Sequence, residues 1–126
     1  MEIKTFRDLQ VWQKAHQMVL QIYKIAQKFP KEEKFGMVSQ LRKSASSIPT
    51  NIVEGHKRRG RKEYLYFLNT ADGSLEETKY HLILARDLGY ISDQEFEKIC
   101  DACDEIGRML SGFQKKLLSL SLSLIP

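Results

Sequence analysis

The chain has 126 residues, 42% hydrophobic and 29% charged, with 20 Lys and Arg against 16 Asp and Glu. That length suits one domain burying roughly two thirds of its unfolded surface, and no apolar run approaches the roughly 20 residues of a membrane span. Met1–Arg7 is no signal peptide and two cysteines make no disulfide framework, so a reducing, cytoplasmic location is the expectation.

Leu9, Trp12, Ala15, Val19, Ile22, Ala26 and Phe29 recur every three or four residues, which predicts an amphipathic helix over residues 8–28. Phe29-Pro30 ends it, because proline disfavours helix at the preceding residue. A second helix is expected over 32–55, on Phe35, Val38, Leu41, Ala45, Ile48 and Ile52. Pro49 lies inside it, removing a hydrogen bond and clashing with the previous turn at about 3 kcal/mol. A kink near Pro49, or a break into two short helices, follows, with Gly55 or Gly60 as the C-terminal stop.

The third helix, over 62–88, carries Tyr64, Leu68, Ala71, Leu75, Thr78, Leu82 and Ala85 and stops at Leu88-Gly89. Gly73 inside it costs up to about 1 kcal/mol relative to alanine, and close helix approach is the expected compensation. Ser92 or Asp93 can cap a fourth helix over 93–118, with Glu95 favoured in its first turn. Its stripe is Phe96, Ile99, Cys103, Ile106, Leu110, Phe113, Leu117 and Leu120. The Ser-Leu tail, 119–126, alternates with period two and reads as a frayed helix end or an extended segment. No β-strand pattern is convincing. Short connections predict an all-α, antiparallel up-down-up-down four-helix bundle spanning 1–126, with packing angles of about 20°.

The charge is uneven. Residues 1–62 hold 14 basic and 5 acidic groups, and residues 63–126 hold 6 and 11. Lys57, Arg58, Arg59, Arg61 and Lys62 crowd the seven positions 56–62 and account for the whole net charge of +4. With Arg42, Lys43 and the aromatic Tyr66, this cluster is the candidate nucleic-acid surface, since basic runs hold phosphates and rings stack on unpaired bases. A solvated basic loop, or a loop docked on an acidic protein, is the competing reading. Asn51, Glu54 and Gly55 precede the cluster. They read as a structural polar group, Asn51 patching backbone freed by Pro49 and Glu54 pairing with an arginine.

Catalysis has no clear candidate. Cys100-Asp-Ala-Cys103 sits mid-helix, where a redox pair lacks the helix N-terminus that lowers a thiol pKa, and structural zinc needs four ligands. His16, His56 and His81 lack metal-site spacing, and no phosphate-binding glycine loop occurs. No metal or cofactor is expected, and the chain is read as a non-enzyme.

Several stretches together resemble the four-helix-bundle proteins encoded by intervening sequences of bacterial 23S ribosomal RNA genes. They are Phe6–Ala15 with Tyr23 and Phe29-Pro30, Phe35–Arg42, Ser47–Gly55, Phe67–Glu77 and Leu88–Tyr90. The resemblance implies a homopentameric ring with no established catalysis and an inferred role in binding the ribosomal RNA insert. It also implies a fold similar to the accessory variability protein of diversity-generating retroelements, which binds nucleic acid and a reverse transcriptase. Structured RNA is then the expected ligand, a reverse-transcriptase-like protein a possible partner, and a protein-interaction scaffold the alternative function. The family motif covers Asn51, Glu54 and Gly55 without giving them a catalytic role, and the Ser-Leu tail lies outside it.

Overall fold

Four α-helices arise from this spacing: α1 Gln10–Ala26, α2 Met37–Lys57, α3 Arg61–Asp87 and α4 Asp93–Ser123. They are seen in a computed structural model that describes residues 2–123, and no strand occurs among those residues. The helices close a ring in which α1 packs on α2, α2 on α3, α3 on α4 and α4 on α1. Inside it Ile22, Leu41, Ile48, Ile52, Leu68, Leu75, Leu82, Ile106 and Leu110 are buried. Each such side chain contributes roughly 1.5–3 kcal/mol by leaving water.

Contacts between helices show their sense. Across α2 and α3, Ser44 meets Thr78 and Ser47 meets Ser74. Across α3 and α4, Lys79 meets Asp104 and Asn69 meets Gln114. Across α1 and α4, Lys14 meets Glu105 and Met18 meets Cys103. Within each pair the partner's number falls as the residue number rises, so these neighbours run in opposite directions.

Several boundaries move from their expected places. Helix α1 begins at Gln10, because Thr5 and Asp8 form a capping box that starts a 3₁₀ turn, Phe6–Asp8, instead. Helix α2 begins at Met37, since the residues after Pro30 make another 3₁₀ turn, Lys31–Glu33. Phe35 therefore never joins the α2 stripe and stands 88% exposed beside the Lys34 ammonium. Helix α2 runs unbroken through Pro49, so the expected division into two helices does not occur. Helix α4 continues to Ser123, past residue 118, and residues 124–126 of the tail lie outside the described residues.

The two glycines exchange roles. Gly55 is no terminator: it is buried within α2, where a Cβ would come 2.8 Å from Tyr64 Cδ1 and 3.0 Å from Phe67 Cβ. It is the residue that lets α2 approach α3. Gly73 has nothing within 4 Å of a Cβ position and marks no close approach. The α2–α3 contact is instead lined by a polar seam. Thr78 Oγ1 lies 2.9 Å from Ser44 Oγ, Ser47 and Ser74 hydroxyls are 2.8 Å apart, and Asn51 Nδ2 donates to Ser47 Oγ at 2.9 Å. Such bonds contribute about 1 kcal/mol each, and leaving one group unpaired in the interior costs more than that.

Candidate nucleic-acid interface

The last turn of α2, the connection Arg58–Gly60 and the first turn of α3 carry the basic cluster. Helix α2 stops at Lys57 because Arg58 turns extended, with ψ 151°, its N–H reaching Gly55 O at 3.1 Å. Gly60 opens α3 without any side-chain cap. Arg58 is folded back on the protein: Nη2 lies 3.2 Å from Glu54 Oε2, and Cζ 4.9 Å from the Phe67 ring centroid. An exposed pair of this kind contributes under about 1 kcal/mol and competes weakly with a phosphate. Lys57, Arg59 and Lys62 are exposed, Arg61 is half-buried, and none has an acidic partner among the described residues.

Other expected residues are divided by the fold. Tyr66 stays beside the cluster, exposed, its ring edge-on to Phe67. Arg42 and Lys43 do not join it, standing about 20 Å back along α2 at a rise of roughly 1.5 Å per residue. Arg42 is half-buried, with Cζ 4.6 Å over the Tyr23 ring of α1, while Lys43 is exposed on the α2–α3 side. The group Asn51, Glu54 and Gly55 also separates. Glu54 is exposed and pairs with Arg58. Asn51 faces the seam, its Nδ2 2.8 Å from Ser47 O, two residues away from the Ala45 carbonyl that Pro49 leaves without its helical donor. Asn51 thus does not make the repair expected of it.

Behind the cluster lies an aromatic support. His56 Nδ1 sits 3.1 Å from the Tyr64 hydroxyl, and the Tyr64 ring meets Phe113 of α4 edge-on at 5.2 Å. Burial pushes the Tyr64 phenol up to about 12, which keeps it neutral. That contact brings the far end of α4, with Lys115 and Lys116, to the same end of the bundle. The N-terminal arm arrives there too, since Lys4 and Phe6 line one groove with Val53 and Lys57.

Residues 2–10, 53–66 and 112–123 together build this end, and they hold nine basic residues against four acidic. The remaining residues hold eleven against twelve. Lys4, Arg7, Lys115 and Lys116 were missed by reading along the chain, because their nearness to Lys57–Lys62 exists only once the helices are folded back on one another.

The thiols offer no nucleophile. Cys103 is buried with Sγ 3.3 Å from Met18 Sδ, and burial raises its pKa to about 12; burial raises that of Cys100 as well. Among the described residues no cluster of three His, Cys, Asp or Glu is placed to hold a metal, and no helix is long and apolar enough to cross a membrane.

A family model described as 23S rRNA-intervening sequence protein matches residues 7–112. The chain belongs to that family. The intervening-sequence protein match takes in all of α2, α3 and the basic connection, and leaves out Lys4–Phe6 of the arm and Lys115-Lys116 of α4. A solved structure agrees in fold: a protein of unknown function from the S23 ribosomal protein family of Bacteroides thetaiotaomicron VPI-5482. It is 29% identical, with TM-score 0.78, over 83% of this chain and 95% of that one. No curated protein matches the chain.

Proposed function

We propose that this intervening-sequence protein is a non-enzymatic, self-associating bundle that binds structured RNA across its basic end. The observation that carries the reading is the excess of nine basic over four acidic residues at this end, where cations such as Lys57, Arg59 and Lys62 have no acidic partner among the described residues. Charges left free of intramolecular partners are available to displace counterions from a phosphate backbone. Tyr66 adds a ring at the edge of that surface.

Self-association is supported by exposed apolar side chains on two different helices, Leu20 and Tyr23 on α1 and Tyr80 and Ile83 on α3. Two unlike patches suit a head-to-tail contact, the kind that closes rings, and the family resemblance implies five subunits. A protein-docking role draws support from Phe35, whose ring is almost wholly exposed at the opposite end of the bundle.

The test is binding of structured RNA to wild type and to a variant with Lys57, Arg58, Arg59, Arg61 and Lys62 made neutral, alongside light scattering. If five cations each meet one phosphate, log K against log salt falls with a slope of about −4 to −5 per protomer. The variant then binds every RNA more weakly and keeps its assembly state. A flat salt dependence in wild type overturns the reading, and a variant that dissociates instead assigns the cluster to a protein contact.

A further inference from the structure

The arm and the end of α2 enclose a groove of about 520 Å³, within the size range of ligand clefts. Its construction is specific. Asp8 Oδ2 accepts from Lys4 N at 2.8 Å and from Thr5 N at 3.1 Å, and Gln13 Nε2 donates to Arg7 O at 2.7 Å, which together fold the arm into a turn and tie it to the start of α1. Phe6, held edge-on against Trp12 at 5.0 Å, and Val53 give the groove apolar surface. Lys4 and Lys57 supply cations, and His56, tied to the Tyr64 hydroxyl, forms a wall. Glu54 lines it as well, and Arg58 engages only its Oε2.

A carboxylate and a phenyl ring are out of place in a site for phosphates alone, since the carboxylate repels them. They suit a base. Bases of unpaired RNA are read by stacking and by hydrogen bonds to their Watson–Crick edge. Guanine presents two adjacent donors there, N1–H and the N2 amine, which match the two oxygens of one carboxylate. Adenine puts an acceptor at N1, uracil flanks its one donor with carbonyl oxygens, and cytosine sets its amine beside an acceptor.

We propose that the groove is a subsite for one unpaired guanine of the bound RNA, with Glu54 accepting from its N1–H and N2 amine, Phe6 and Val53 against its face, and Lys4 and Lys57 on the flanking phosphates. This rests on the nucleic-acid reading above. It adds base selectivity, which phosphate contacts by themselves do not provide. It also gives the arm residues Lys4 and Phe6, which precede the family match, a share in the site.

Fluorescence anisotropy at fixed salt tests it, with a short uridine-only oligonucleotide and versions carrying one central guanosine, inosine or adenosine. Guanosine tightens binding roughly 5- to 100-fold, as a well-formed bidentate contact does. Inosine, lacking the N2 amine, loses most of that gain, and adenosine gains nothing. Glu54→Gln, at an exposed position and checked for unchanged helix content, binds the guanosine and uridine oligonucleotides alike and keeps the wild-type salt slope. Equal affinity for guanosine and adenosine, or a preference that survives Glu54→Gln, overturns the subsite. If every oligonucleotide binds with steep salt dependence and no preference, the subsite falls and the nucleic-acid reading stands. If none binds at low salt, the subsite falls, and the nucleic-acid reading stands or falls on the structured-RNA measurement.

Discussion

Where α1 turns into α2 and α3 into α4, charges are used up within the protein; where α2 turns into α3, they are left over. Residues 24–38 and 83–99, which build the first of these ends, hold six basic and six acidic groups. There Lys28 pairs with Glu95, Ser92 and Glu95 cap α4 reciprocally, the Tyr90 hydroxyl donates to Glu33, and Arg86 lies 4.1 Å over the Phe96 ring. Helix α3 closes with Gly89 at φ 80° and Tyr90 N bonded to Ala85 O, the paired C-terminal bonds typical of a glycine stop. At the basic end α1 and α3 begin without side-chain caps and α2 stops without a glycine. Local bonding that would have stabilised that end is forgone, and the surface stays cationic. The balanced end uses its charges to hold the fold, and the basic end leaves Lys57, Arg59 and Lys62 in solvent.

The contrast can be broken at its glycines. Gly55→Ala is expected to cost about 1–3 kcal/mol by overpacking, since Tyr64 and Phe67 must move, and thermal melts would read it. This would show that the basic end has a tight floor beneath a loose rim. Gly89→Ala follows at about 1–2 kcal/mol, the strain of a left-handed residue with a side chain. Gly60→Ala, in open space with φ −95°, is expected within about 0.5 kcal/mol of wild type. Equal losses at positions 60 and 89 would erase the distinction between the ends.

A smaller effect comes from acid. The Lys28 ammonium and the Ser92 N–H hold Glu95 below its ordinary pKa of 4.5. The folded state therefore binds this proton less tightly than the unfolded chain. Its contribution is full above the unfolded value and is lost as pH falls through the folded one. Melting temperature measured downward from pH 5 should fall less steeply in Glu95→Gln than in wild type. An unchanged slope would remove Glu95 from the account of the balanced end.

Much of the bundle was legible because apolar spacing of three and four survives folding: Leu41, Ala45, Ile48 and Ile52 are buried, as are Ile99, Cys103, Ile106 and Leu110. The same rhythm continues to Gly55, one step beyond Ile52, a signal that fits a packing residue, but its place beside a basic run gave it the reading of a stop. Phe35 kept the rhythm but preceded the helix, because Pro30 and the turn after it consumed the residues in which α2 was expected to start. Of the basic end, the cluster at 57–62 was plain in the sequence. Lys4, Arg7, Lys115 and Lys116 were not, since they join it through contacts between residues far apart in the chain.

The hydroxyl seam between α2 and α3 also sets the register of the two helices. Two hydroxyl contacts, Ser44 to Thr78 and Ser47 to Ser74, fix how far α2 may slide along α3, so that alignment does not depend on the connection alone. Within the connection Arg58 is tied to Glu54 and Phe67 and Gly60 opens α3, which leaves Arg59 as the exposed residue outside those contacts. The charge at Arg59 can therefore change while the bundle stays in step.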